Sequence, residues 1–100
     1  MTRHIWPLYI KANFNGVETK RVLVDNGAGV SILPLRMLKK IGLKIQDLEK
    51  TDAIMIDFAG HDQALEGFIM LNVKVDRHES QGGFFVMDVK INYNVLLGRD

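Results

Sequence analysis

The sequence predicts one small, mostly β domain that closes into a barrel and carries one short helix. Two observations support this fold class. Apolar and polar residues alternate at strand period in several short segments, and turn residues separate these segments at regular intervals. The 100 residues suffice for one hydrophobic core and leave no room for a second. We therefore expect residues 1–100 to form a single domain.

The first predicted element is a β-hairpin centred on Asn15-Gly16. Residues 10–14 alternate between apolar and polar side chains, which is typical of a half-buried strand. Asn-Gly is the strongest short hairpin signal because both positions tolerate a positive φ. The returning strand, residues 17–24, ends in an apolar run at residues 22–24, which predicts burial on both faces of the strand.

A glycine-rich loop and one short helix are predicted next. The loop, residues 25–29, contains two glycines and an Asp-Asn pair. Pro34 is expected to be the first helical residue. Apolar residues then recur at i, i+3, i+4 and i+7, which predicts an amphipathic helix that ends before Gly42.

The second half of the chain predicts further strands. Residues 53–75 are expected to form a second hairpin with its turn at residues 60–62. The polar residues 76–83 predict a turn region. Residues 84–87 and 95–97 are apolar and predict two more buried strands, the last of them close to the end of the sequence.

The composition excludes several classes of function. Thirteen basic and 12 acidic residues give a formal charge of +1, which argues against a dedicated nucleic-acid surface. The absence of cysteine excludes a disulfide framework, a thiolate nucleophile and a cysteine zinc site, and favours folding in the cytosol. No apolar run approaches the roughly 20 residues that span a membrane. We expect no metal, no cofactor, and no nucleic-acid or membrane partner.

Asp25 is the candidate for chemistry, because it directly follows a buried strand and precedes a flexible turn. One interpretation is structural: its carboxylate accepts hydrogen bonds from the amides of Gly27 and Ala28 in an Asx-turn. The other is functional: the strand holds the carboxylate rigidly in a cleft. A lone carboxylate cannot serve as both acid and base in amide hydrolysis, and nothing else in the sequence repeats this context. The functional interpretation therefore requires Asp25 of a second copy, related by a two-fold axis.

Two segments resemble the signatures of the retroviral-type (retropepsin-like) aspartic proteases. Residues 22–34, VLVDNGAGVSILP, resemble the active-site segment of that family, in which a hydrophobic strand runs into Asp-Thr/Ser-Gly-Ala. Residues 93–100, YNVLLGRD, resemble its second signature, a hydrophobic pair followed by Gly and Arg. The order and spacing of the elements also match along most of the chain. The resemblance is closest to gypsy-type plant retrotransposon proteases, some of which carry Asn after the Asp.

The resemblance implies an aspartic endopeptidase that acts as a homodimer on its own polyprotein, in the cytoplasm or in retroelement particles. Each copy would supply one catalytic residue, Asp25, and the two carboxylates would share a proton and activate water. The implied fold is the small closed β-barrel of this family. The active-site loop would consist of Asn26, Gly27, Ala28 and Gly29.

The resemblance also assigns roles to two other parts of the chain. Residues 54–69 would form a flap that closes over the substrate and excludes water. Its substrate-binding residues would be Ile54, Ile56, Phe58, Gly60 and His61. The structural support behind the active-site loop would come from Leu97, Gly98 and Arg99.

Three departures from the family pattern leave other functions open. Asn26 stands where the family has Thr or Ser, Gly29 replaces a polar residue, and the sequence ends at Asp100, before the helix and strand with which the family continues. One alternative is a catalytically weak or inactive protease-like module that dimerises or binds extended peptides at its flap edge. Another is an unrelated small β-barrel binding domain.

Overall fold

The structure, a computed structural model, describes residues 8–50 and 64–98. These residues contain strands, a short α-helix and a 3₁₀-helix. In chain order the elements are β1 (Leu8–Phe14), β2 (Val17–Val24), β3 (Ser31–Pro34), α1 (Arg36–Ile41), the 3₁₀-helix (Ile45–Asp47), β4 (Ala64–Val75), β5 (His78–Asp88) and β6 (Val95–Leu97).

The strands form a closed barrel in the order β1-β2-β6-β3-β5-β4, and β4 pairs back with β1. The mostly β fold class, the barrel and the short helix are therefore confirmed. The prediction that residues 1–100 form a single domain stays a prediction.

The first hairpin is confirmed. Asn15 and Gly16 connect β1 to β2 with φ values of 51° and 85°. Val22 is fully buried inside the barrel, and Leu23 packs on the outside against a second group of apolar residues. Both faces of β2 are therefore covered at this point, as the apolar run predicts.

The pairing of β1 with β2 is interrupted by a β-bulge. Ile10 pairs with Val22, but Ala12 pairs with Thr19, so that two residues of β2, Lys20 and Arg21, lie opposite a single residue of β1. Arg21 adopts the left-handed conformation, with a φ of 56°. Bulges of this kind bend a strand and change the direction of a side chain.

The prediction that Pro34 begins the helix is wrong. Pro34 is the last residue of β3, where it is buried and lies opposite Met87 of β5, and the helix begins two residues later at Arg36. Proline has no backbone N–H, so Pro34 itself donates no hydrogen bond to the ladder. The ladder then continues one residue further, because the amide of Leu35 donates to the Met87 carbonyl at 2.8 Å.

The predicted face of the helix and its end are confirmed. Met37, Leu38 and Ile41 are buried against the barrel. Gly42 ends the helix with a φ of 87°, a left-handed conformation that glycine adopts without a Cβ penalty.

The prediction of a turn region over residues 76–83 is also wrong. Asp76 and Arg77 alone form the turn, and β5 begins at His78. The polar side chains of residues 78–81 are exposed, whereas their backbone continues the ladder with β4. A polar stretch therefore forms a strand here because its partner, and not its own burial, fixes its conformation.

Of the second predicted hairpin, the structure describes the returning strand. Its returning strand corresponds to β4, whose alternate residues Ile69, Leu71 and Val73 are buried as the period predicts. The outgoing strand and the turn lie outside the described residues.

Apolar residues form two clusters, one on each side of the barrel wall. The inner cluster fills the barrel and includes Phe14 and Phe84, whose rings meet edge to face with centroids 5.7 Å apart. The outer cluster consists of Ile32, Met87 and Leu96, with partly buried neighbours around them. Helix α1 has six residues, and among the described residues no helix is long and apolar enough to cross a membrane.

Replacement of Phe14 by alanine tests the inner cluster. Phe14 has no exposed surface, and the cavity left by a buried phenylalanine costs about 3–5 kcal/mol of the free energy of unfolding. Chemical denaturation of Phe14→Ala should show this loss. Met70→Ala, at a side chain that is 52% exposed, should change the free energy of unfolding by less than about 0.5 kcal/mol. Equal effects of the two changes would contradict the assignment of the core.

Candidate active site

The loop that carries Asp25 is held by strand β6, which lies between β2 and β3 in the barrel. Val24 at the end of β2 pairs in parallel with Leu97, and Ile32 of β3 pairs with Leu96. The amide of Asp25 donates to the carbonyl of Leu97 at 3.0 Å. The loop therefore crosses the end of β6 and is bonded to it at its first residue.

The Asp25 carboxylate is oriented by the loop itself. Its Oδ1 accepts a hydrogen bond from the amide of Gly27 at 2.9 Å, which is the predicted Asx-turn. The amide of Ala28 bonds instead to the main-chain carbonyl of Asp25, at 3.1 Å. Among residues 8–50 and 64–98, the other carboxylate oxygen accepts no hydrogen bond. The structural and functional interpretations of Asp25 are therefore compatible, because the turn fixes one oxygen and leaves the other available.

The residues of the loop divide into an exposed edge and an anchored edge. Asn26, Gly27 and Gly29 are exposed, and Asp25 is half-buried. Ala28 and Val30 pack against the outer apolar cluster. A Cβ on Gly27 would lie 3.3 Å from Oδ1 of Asp25, so glycine at this position leaves the carboxylate room for its bond. The loop thus presents the carboxylate, Asn26 and Gly27 outward from the barrel.

Gly98 supports the loop by a close approach of two backbones. Its amide donates to the hydroxyl of Ser31 at 3.0 Å. A Cβ at this position would overlap the carbonyl of Val30, and it would lie 3.0 Å from the carbonyl oxygen of Ala28. No larger residue fits here without moving β6 away from the loop. Leu97 and Gly98 lie directly behind the loop, and Arg99 lies outside the described residues.

The five predicted substrate-binding residues of the flap lie outside the described residues, whereas residues 64–69 of the predicted flap belong to β4. The relation of these five residues to Asp25 stays a prediction. These residues are Ile54, Ile56, Phe58, Gly60 and His61.

Tyr93 packs on the same outer cluster as Ala28 and Val30 of the Asp25 loop, a position that the sequence did not reveal. It is half-buried against the outer apolar cluster. Burial raises the pKa of the Tyr93 hydroxyl above its ordinary value of 10.0, and the charges of Tyr9 and Asp25 add to this rise. The side chain is therefore a neutral O–H donor at acidic and neutral pH. The second signature segment begins at Tyr93, and this was the one sequence signal that pointed to it.

A cavity of about 560 Å³ adjoins the loop. Val24, Val30 and Gly98 line it together with residues of β4 and β5, and Asp25 is not among its lining residues. The cavity meets the loop through Val24, Gly29 and Val30 rather than through the Asp25 side chain. In the part of the chain that the structure describes, no group of three or more His, Cys, Asp or Glu side chains could hold a metal ion.

Three solved structures share this fold. The retroviral protease-like domain of Ddi1 from Leishmania major is 23% identical and has a TM-score of 0.74, with 95% of this chain and 74% of that chain covered. A retropepsin-like aspartic protease from Rickettsia conorii is 24% identical with a TM-score of 0.68, over 92% and 66% of the two chains. EIAV protease, in complex with an inhibitor, is 17% identical with a TM-score of 0.71, over 98% and 88%. The barrel is therefore a retropepsin-like fold.

The aspartyl protease family matches residues 10–100, and the chain belongs to this family. This membership excludes the unrelated β-barrel binding domain that the sequence had left open. No curated protein matches the chain.

Replacement of Gly98 by alanine tests the support of the loop. The added methyl group must displace the Val30 carbonyl, and overpacking of this kind lowers the free energy of unfolding by about 1–3 kcal/mol. Gly29→Ala is the matched control, because a Cβ at Gly29 meets no atom within 4 Å, and it should change stability by less than about 0.5 kcal/mol. Thermal or urea unfolding of both variants measures the difference. Equal stability of the two variants would show that β6 and the loop are not in contact.

Proposed function

We propose that the chain is an aspartic endopeptidase that acts as a homodimer, with Asp25 of both copies forming one catalytic site. The observation that carries this proposal is the Asp25 carboxylate, fixed at one oxygen by Gly27 and presented on an exposed loop of a retropepsin-like barrel. The membership of the aspartyl protease family supports the class of reaction.

The requirement for a second copy follows from the number of suitable carboxylates. Asp25-Asn26-Gly27 is the one Asp-x-Gly sequence among the 100 residues. Amide hydrolysis by carboxylates needs one group that takes a proton from water and one that gives a proton to the carbonyl. A two-fold axis that passes beside the exposed residues Asn26 and Gly27 supplies the second carboxylate from an identical loop.

The chemistry then follows from the proximity of the two carboxylates. Like charges about 3 Å apart cannot both ionise, so the pair shares one proton over its working pH range. The ionised member accepts a proton from water, and the protonated member polarises the scissile carbonyl. The two groups titrate as a pair, and neither pKa belongs to one copy.

Asn26 and Gly29 shape this site differently from the family pattern. Asn26 is exposed next to Asp25, and its amide can both donate and accept a hydrogen bond, so it can bond to the opposite loop as a hydroxyl would. The amide side chain is planar and longer than the hydroxyl side chain of Thr or Ser, so the geometry of the contact must differ from that of the family. Gly29 is exposed and leaves open space where the family has a polar side chain.

We also propose a peptide substrate with mostly apolar side chains around the scissile bond. The partly buried Leu23, Ala28 and Val30 lie on the outer cluster, on the same side of the barrel wall as Tyr93. These residues offer an apolar surface next to the carboxylate. The resemblance of residues 22–34 to gypsy-type retrotransposon proteases supports a polyprotein of such an element as the natural substrate, and the cytoplasm or retroelement particles as the location.

Cleavage assays with Asp25→Asn test the catalytic role. The protein is incubated with peptides from its own polyprotein junctions, or with a denatured general substrate, from acidic to neutral pH. Loss of the general base should lower the rate about 10²–10⁴-fold, since proton transfer by a positioned side chain contributes that much, and wild-type cleavage should be inhibited by pepstatin. Equal background cleavage by the two proteins would contradict the proposal and favour the inactive, peptide-binding module.

Sedimentation over a range of concentrations tests the homodimer. We expect a monomer–dimer equilibrium, with specific activity that rises as the dimer forms, because a single chain holds half of the site. A chain that stays monomeric at every concentration and still cleaves would contradict the shared site.

A further inference from the structure

The four residues before β6, Ile91–Asn94, form a segment that we call the Tyr93 loop. None of them belongs to a strand of the barrel. The loop nevertheless packs Tyr93 on the outer apolar cluster, on which Leu23, Ala28 and Val30 from either side of Asp25 also lie. Its position must therefore be fixed by contacts other than a ladder of backbone hydrogen bonds.

Arg36, the first residue of α1, holds the loop from one side. One of its terminal nitrogens, Nη2, donates to the carbonyl of Tyr93 at 2.7 Å and to the carbonyl of Ile91 at 3.2 Å. The other, Nη1, donates to Oδ1 of Asn94 at 3.0 Å. A planar guanidinium can satisfy three acceptors at fixed angles, which the single ammonium of lysine cannot do in the same way.

Arg21, in β2, holds the loop at a second point. Its Nε and Nη2 both donate to the carbonyl of Asn92, at 2.9 and 2.7 Å. The guanidinium carbon also lies 5.5 Å from the centre of the Tyr9 ring, within the range of a cation–π contact. Tyr9 in turn contributes to the environment of the Tyr93 hydroxyl.

The β-bulge of β2 allows the backbone of this strand to bind the Tyr93 loop. Because Lys20 and Arg21 lie opposite a single residue of β1, their carbonyls become available to the loop. The amide of Asn94 donates to the Arg21 carbonyl at 2.9 Å, and its side chain donates to the Lys20 carbonyl at 2.8 Å. Arg21 adopts a left-handed conformation that costs energy for a residue with a Cβ. Strain of this kind persists where surrounding contacts compensate for it, and here the hydrogen bonds between Arg21 and the Tyr93 loop provide such contacts.

We propose that Arg21 and Arg36 are positioning residues that hold the Tyr93 loop against the Asp25 site and thereby determine how tightly the peptide substrate binds. The inference rests on the proposed function and adds two residues to it. Both arginines are exposed, where individual hydrogen bonds add little to global stability. Five guanidinium bonds to four consecutive residues restrict the loop itself. Their loss should therefore affect the loop and the substrate more than the fold.

Three variants distinguish the effect of the arginine side chains from the effect of the bulged backbone of β2. Arg36→Met removes the three bonds of that guanidinium, and Arg36→Lys keeps the charge without the fork. Arg21→Gly removes the guanidinium and leaves a residue that adopts the left-handed conformation without strain, so the bulge is retained. Arg77→Met is the matched control, since Arg77 is an exposed arginine in the turn between β4 and β5.

Amide hydrogen exchange is the first readout, and it does not depend on catalysis. In Arg36→Met, Arg36→Lys and Arg21→Gly, the Asn94 amide should exchange about tenfold faster or more. The amide of Leu71 in β4 should keep its wild-type rate, and Arg77→Met should match the wild type at both positions. Unchanged exchange at Asn94 in all three variants would overturn the proposal.

Cleavage kinetics are the second readout. The three variants should raise KM about tenfold with kcat within about twofold of the wild type, because the loop acts on binding and Asp25 is untouched. Faster exchange without a change in KM would show a purely structural role and would overturn the proposal. If the wild-type protein cleaves nothing, the proposed function fails and the substrate role fails with it, whereas the exchange data still decide whether the arginines hold the loop.

Discussion

The structure around Asp25 depends on the insertion of β6 between β2 and β3. This strand has three residues, yet it pairs with Val24 on one side and with Ile32 on the other, and its last carbonyl binds the amide of Asp25. Gly98 follows so closely behind the loop that a side chain has no room. The loop can be glycine-rich and still well placed, because its rigidity comes from the strand behind it. Leu97, near the end of the described chain, thus helps to fix Asp25, which lies some seventy positions earlier in the sequence.

The separation of the apolar residues into two clusters assigns different tasks to the two sides of the barrel wall. The inner cluster fills the barrel and stabilises the fold. The outer cluster lies under the Asp25 loop and beside Tyr93, where partly buried apolar side chains remain available to a ligand. Alternation along β2 links the two, since Val22 points inward and Leu23 points outward just before Asp25. The same strand therefore contributes to stability and to the proposed site without conflict between them.

Local patterns predicted those parts of the fold that depend on local interactions. The Asn15-Gly16 turn, the buried face of α1 and the burial of β6 follow from turn chemistry and period. Pro34 and the polar start of β5 were misjudged because a neighbouring strand determines their conformation. Tyr93 and the two arginines could not be found in this way. The bonds of Arg21 to Asn92 and of Arg36 to Tyr93 join residues that are 71 and 57 positions apart in the sequence. The periodicity of a short segment does not reveal contacts between residues so far apart. Asp25 itself could be identified from the sequence, because the features that mark it, a buried strand followed by glycines, are local.

If two copies of Asp25 make one catalytic site, mixing wild-type protein with Asp25→Asn should lower the activity of the wild-type chains in a predictable ratio. At a fixed wild-type concentration, and with total protein high enough to keep all chains dimeric, an equal amount of the variant is added and allowed to exchange. If each site needs both carboxylates, half of the wild-type chains enter mixed dimers and the cleavage rate should fall to about one half, and to about one quarter with a threefold excess of the variant. A rate that does not change as the variant is added would contradict the shared site.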